Sequence, residues 1–174
     1  MRKLEVHRNK ILKLTNAVCY KLEDNDFFNL DKTVYQMENY IKSKGAIPIG
    51  PLVQCTEVQN DGGGEPKIQI SLIRQVNTFI NKLEAPYTIQ SVLRVPNCLY
   101  IRFIGDESHI KFAYDKLNVF AYEEEIPLTG RTYTIFTSKS EDEFSADIFM
   151  EKENTGLFRT VSTKREADAY GLQT

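Results

Sequence analysis

Two stretches of the chain carry the same order of elements, and that repetition limits the folds open to it. Residues 10–22, KILKLTNAVCYKL, alternate apolar and polar residues and stop at Glu23-Asp24-Asn25-Asp26, the pattern of a strand. Asn29 or Asp31 then caps a predicted helix whose apolar positions Leu30, Val34, Met37 and Ile41 form one stripe, closed by Lys42, Lys44 and Gly45. Pro48, Gly50 and Pro51 open a strand, IPIGPLVQCTEV, that ends in the loop Asn60-Asp61-Gly62-Gly63-Gly64, and KIQISLIRQV alternates as a half-buried strand does. The second half repeats this order. Residues 87–104 are an extended stretch with an edge turn or bulge at Pro96-Asn97, and Gly105 to Ser108 opens a helix with Ile110, Ala113, Tyr114, Leu117 and Ala121 on one face. That helix stops ahead of Pro127, and the strands RTYTIFTS and FSADIFMEK follow, joined by a polar turn from Lys139 to Glu143. Gly50 and Gly130 are 80 positions apart, Gln69 and Asp147 are 78 apart. The expectation is an α+β fold, a pseudo-twofold duplication of a β-α-β-β unit in a single domain spanning 1–174. Repeat one covers about 10–80 and repeat two about 87–153. Two helices pack on one antiparallel sheet or a curved pair of sheets around a central cleft, and a tail over 154–174 is either a short helix near Lys164 to Tyr170 or a mobile end.

Composition excludes several classes. The 22 Lys and Arg against 24 Asp and Glu give a net charge of -2, which disfavours a general phosphate-backbone binder. No window approaches the ~18 apolar residues of a membrane helix and the start lacks an apolar export segment, so the reading is cytoplasmic, with neither nucleic acid nor membrane as a direct partner. Cys19, Cys55 and Cys98 are far apart, without C-x-x-C pairs, and read as reduced, buried small hydrophobes. Only His7 and His109 are present, and no H-E-x-x-H, G-x-S-x-G or Walker-type motif occurs, so neither a metal nor a cofactor is expected. The glycine run at 62–64 lacks the Lys and Ser/Thr of a phosphate loop, and Glu123-Glu124-Glu125 reads as a solvated helix end, because sequence neighbours on a helix point apart.

The positive signal is aromatic and acidic. Residues 1–87 hold 12 basic against 10 acidic residues, whereas residues 88–174 hold 10 against 14. The second half also carries Tyr100, Tyr114, Tyr133 and Phe149 among many aromatics, most of them core candidates. In its last strand Ser145, Asp147, Phe149 and Glu151 share one face and Ala146, Ile148 and Met150 the other. A carboxylate in mid-strand beside aromatics either faces solvent or lies in a pocket that suits a cation.

The segments GAIPIGPLVQ, PKIQISLIRQV, VLRVPNCLYIRFIGDESHIKFAYDKL, IPLTGRTYTIFTS and ADIFMEK resemble the effector-binding domain of gyrase-inhibitor-like proteins, a SOUL-like fold also found in multidrug-sensing and AraC-type regulators. The resemblance covers about residues 10–153 and rests on order and spacing more than on identities. It implies a cleft between the halves that takes hydrophobic or cationic small molecules, with a glutamate on the last strand as anchor. That glutamate position falls on Asp147, the family's helix tyrosine on Tyr114, and Tyr133 lies where an aromatic is common; Tyr100 and Phe149 complete the expected site. The departures are the shorter Asp147, Glu151 where the family has a strand-final proline, and Gln69 at the equivalent place in the first half. About ten residues precede the first strand, too few for a helix-turn-helix, so a stand-alone module is expected. Three functions follow: a small-molecule binder, not itself an enzyme; a hydrolase of strained cyclopropane genotoxins with Asp147 or Glu123 as base and Tyr114 or Tyr133 positioning the electrophile; or a protein-interaction module with the cleft filled, serving a gyrase, toxin or secretion partner.

Overall fold

The computed structural model describes residues 3–59, 64–139 and 143–154; most of the predicted glycine loop and the tail from 155 onward lie outside the described residues. The elements are β1 (His7–Lys21), α1 (Leu30–Ser43), β2 (Pro48–Gln59), β3 (Lys67–Val76), β4 (Tyr87–Gly105), α2 (Lys111–Glu123), β5 (Leu128–Lys139) and β6 (Phe144–Lys152). The order is therefore the duplicated β-α-β-β unit. All pairings are antiparallel, and the sheet curves until it closes into a barrel in the order β1-β3-β2-β5-β6-β4.

The duplication is visible in backbone detail. β2 and β5 pair about Gln54 and Thr134, with Val53 opposite Ile135 and Cys55 opposite Tyr133, so the pseudo-twofold passes through residues 80 apart. Both helices end in a left-handed residue, Gly45 at φ 79° and Glu125 at φ 51°, each followed by the same bond, Ala46 N–H to the Ile41 carbonyl and Ile126 N–H to the Ala121 carbonyl. Gly50 and Gly130, at φ 65° and 84°, are the third residues of β2 and β5 and sit where the register of each strand shifts against its partner. Asn16 and Asn97, at φ 46° and 56°, mark where each long strand changes its inward-facing parity, so that Leu12 and Leu14 in β1 and Leu93 and Val95 in β4 join Ala17, Cys19 and Cys98 in one interior cluster. The bulge expected at Pro96-Asn97 is present as a register shift against β1.

Three cores result. α2 packs Ala113, Leu117 and Ala121 onto Leu99, Ile101, Phe103, Ala146 and Ile148. α1 packs Met37 and Ile41 onto Val18, Leu72 and Val76. The barrel interior holds Leu12, Leu14, Val53, Ile73, Val95 and Tyr133. Each fully buried aliphatic side chain in these clusters contributes about 1.5–3 kcal/mol. The predicted face of α2 is the buried one. The stripe on α1 is rotated: Thr33, Met37 and Ile41 are buried, whereas Leu30 is 37% exposed at the helix start. Thr33 tolerates the position because its hydroxyl donates to the Asn29 carbonyl at 3.3 Å.

Glu125 has a side chain at a site where its counterpart is glycine, which costs conformational strain. Glu125→Gly is expected to raise stability by about 0.5–1 kcal/mol, read as a higher urea midpoint; an unchanged or lower midpoint would contradict the equivalence of the two helix ends.

Candidate functional site

The strand alternation read from the sequence decides which side chains meet. In β6, Asp147, Phe149 and Glu151 point into the barrel while Ala146, Ile148 and Met150 face α2. Asp147 lies beside Arg102 and Phe149 beside Tyr100 across the β4–β6 ladder. Arg102 donates to both oxygens of Asp147, at 2.8 and 2.9 Å, and the Tyr100 hydroxyl donates to the same carboxylate at 2.7 Å. The Tyr100 and Phe149 rings sit 4.9 Å apart. This end of the interior is filled, and the Asp147 charge is matched by a guanidinium, which itself is held more basic by that hydrogen bond and charge.

The other end is hollow. A cavity of about 230 Å³ lies among Cys19, Cys55, Ser71, Leu93, Tyr133 and Arg131, between strands of both repeats. Its origin lies in the duplication. Cys19 pairs with Ile73 and Lys21 with Ser71 in the first half, where Tyr100 pairs with Phe149 and Arg102 with Asp147 in the second. The first repeat thus has Cys, Ile and Ser where the second has Tyr, Phe and Asp. The pairing also corrects the expected counterpart of Asp147: it is Ser71, opposite Cys55 as Asp147 is opposite Ile135, and not Gln69.

The mouth of this cavity is charged. Arg131 donates to Glu57 at 2.5 Å and to Glu151 at 3.3 Å, two carboxylates sharing one guanidinium. The inner wall is neutral at physiological pH. Burial pushes the Cys55 thiol up to about 11 and raises the Cys19 thiol and the Tyr133 phenol as well.

The five residues expected to form one site therefore divide into three places. Tyr100, Asp147 and Phe149 meet at the filled end, Tyr133 lines the interior cavity, and Tyr114 stands outside the barrel under α2, its hydroxyl 2.7 Å from the Thr134 hydroxyl. Glu123 is exposed at the last turn of α2. Sequence reasoning missed Glu57 and Arg131, whose encounter needs the β2–β5 pairing of the two halves; the available signal was their common odd parity with Cys55 and Tyr133. Among the described residues, no group of three or more His, Cys, Asp or Glu side chains could hold a metal ion, and no helix is long and apolar enough to cross a membrane.

This is a duplicated α+β barrel with one interior end closed by aromatics and the other hollow. No family model and no curated protein matches the sequence. Among solved structures, EcmrR in its DNA complex is similar at a TM-score of 0.61 and 14% identity, over 86% of this chain, which spans only 57% of that one. The isolated C-terminal domain of EcmrR matches at 0.59 and 15% identity, over 87% of this chain and 97% of the domain. A hydrolase from Listeria innocua matches at 0.54 and 13%, over 87% and 92%. The chain has the fold of the gyrase-inhibitor-like effector-binding domain.

Burial also sets a pH dependence. An acid held more weakly acidic in the fold than in the unfolded chain stabilises the fold while protonated, and that stability is lost as pH rises through the unfolded value towards the folded one. Cys55 and Cys98, both raised to about 11 by burial, and Tyr100, raised to about 12 by burial and by the Asp147 carboxylate, all act in this sense. From these three groups, the urea midpoint is expected to show no loss near neutral pH and to fall from pH about 9 upward, with a shallower fall in Cys55→Ala. An alkaline profile identical in wild type and variant would rule out the thiol contribution.

Proposed function

We propose that the chain binds a small organic molecule in the interior cavity, as a ligand-binding domain of the effector-binding type. The observation that carries this reading is the hollow end of the barrel itself, a half-open cavity between the repeats whose wall mixes apolar Ala17, Ile73 and Leu93 with polar Ser71, Gln90 and Tyr133, and whose mouth holds two carboxylates to one guanidinium. The fold it shares with the EcmrR C-terminal domain fits the same role. A cavity of about 230 Å³ accepts one substituted ring and no more, since larger ligands need about 300 Å³ upward. Glu57, Glu151 and Arg131 sum to one net negative charge. The preferred ligand is therefore a single-ring hydrophobic amine, its ring against Tyr133, Leu93 and Ile73 and its ammonium at the mouth. Glu57, which shares Arg131 with Glu151, takes the anchoring role assigned from sequence to Asp147, whose carboxylate has Arg102 to itself and the Tyr100 hydroxyl besides.

Phenethylamine and phenethyl alcohol share a shape and differ in charge, so calorimetric titration of both tests the proposal. The amine is expected to bind about tenfold more tightly, a difference of about 1.4 kcal/mol, and Glu57→Gln is expected to abolish that preference while leaving the alcohol unchanged. Saturating amine should also slow methanethiosulfonate labelling of the half-buried Cys19 and Cys55. Equal affinities in wild type would sink the anchor, and unprotected thiols the site.

A further inference from the structure

A larger cavity, of about 490 Å³, lies on the opposite face of the β2–β5 ladder, beneath α2. It exists because one feature of the first repeat is not repeated. In the first half Arg74 donates to Glu38 of α1 and to the Gly50 carbonyl, both at 2.6 Å, and so ties the helix to the entrance of β2. Asn118 and Gly130 follow Glu38 and Gly50 by 80 positions, and Met150 stands opposite Leu99 as Arg74 stands opposite Val18. All three of these second-half residues line the cavity. Replacing the Glu–Arg pair with Asn and Met removes the lock, and the space between α2 and the sheet stays open.

The lining defines what can occupy that space. Val58, Leu128 and Met150 supply apolar surface; Gln54, Thr56 and Thr132 supply uncharged hydrogen-bonding groups. The Tyr114 hydroxyl is engaged with Thr134, and burial keeps its phenol protonated. Arg131 is the one charged residue on the lining, and its guanidinium is committed to Glu57 and Glu151. A cation finds no carboxylate here, an anion no free guanidinium, and each would be desolvated without compensation. The volume falls within the ~300–1,000 Å³ of sites for drug-sized molecules.

We infer that this groove is a second ligand site, selective for uncharged hydrophobic molecules of two to four rings. It differs from the interior cavity in size and charge; the two lie on opposite faces of the β2–β5 ladder and have only Arg131 in common.

Nile red, an uncharged fused-ring dye too large for the interior cavity, is the probe. Titration of the full chain is expected to give saturable enhancement of its fluorescence. Asn118→Trp fills the groove from an exposed helix position and should weaken binding at least about tenfold, whereas Val119→Trp, on the same helix but off the lining, should not. Asn118→Glu combined with Met150→Arg rebuilds the first-half lock and should have the same effect as Asn118→Trp. Saturating phenethylamine should leave Nile red bound, and the cationic dye rhodamine 6G should bind at least about tenfold more weakly than Nile red. No saturable Nile red binding, equal binding by Asn118→Trp and wild type, or displacement by phenethylamine would each overturn the second site. Because the single substitution lies on the surface, it tests the inference even if the double variant does not fold.

Discussion

The structure depends on two long strands that bend at an asparagine. β1 and β4 run alongside each other over most of their length, and each then takes a second partner, β3 or β6, beyond Asn16 or Asn97. Asparagine accepts the left-handed conformation that this change requires at lower cost than most residues. Because the inward parity switches at that point, apolar side chains from both arms of each strand enter one interior. Without the switch, Ala17, Cys19 and Cys98 would face the helices, and the sheet would have two outer cores but no inside. Closure also removes the exposed edges that a six-stranded antiparallel sheet would otherwise present.

A symmetric barrel built this way would have two equivalent ends and two equivalent grooves. The space available for ligands comes from departures from that symmetry. In the interior, Tyr100 and Phe149 fill what Cys19 and Ile73 leave open. On the outer faces the sense is reversed: Glu38 and Arg74 close the first-half groove and Asn118 and Met150 leave the second-half groove open. Each repeat therefore supplies one filled and one empty place, and the two empty places lie on opposite faces of the same ladder.

Much of this architecture was legible in the sequence. The doubled element order, the buried face of α2 and the alternation of β6 all follow from local periodicity, which depends only on neighbours within a few residues. The filling of the site was less legible, because it depends on pairings between positions that nothing local connects. Asp147 shares a strand face with Phe149 by simple alternation, whereas its pairing with Arg102 depends on the β4–β6 register, which no local pattern reveals. Ser71 rather than Gln69 matches Asp147 because β3 starts eight positions after the end of β2 and β6 only five after the end of β5, and because β5 carries a register shift between Phe136 and Ser138. Glu57 and Arg131 belong to different halves and gain meaning only when β2 and β5 pair.

The acidic excess of the second half shows how charge counting and local electrostatics diverge. It suggested a cation site near Asp147, but a carboxylate attracts a ligand only in proportion to the charge that its surroundings leave uncompensated. Asp147 is 14% exposed and gripped by both arms of Arg102, so a cation arriving there would have to displace a bidentate pair formed at no cost in association entropy. At the opposite end one guanidinium serves two carboxylates, and its contact with Glu151, at 3.3 Å, is longer than that with Glu57. The three groups at that mouth carry one net negative charge, and the basic first half contributes to it through Glu57. In the proposed complex a ligand ammonium adds to that network, and its ring enters a cavity whose thiols and phenol are raised by burial. The two ends of the barrel thus differ in how their carboxylates are matched, one guanidinium to one carboxylate or one to two, and strand pairing between the repeats decides which.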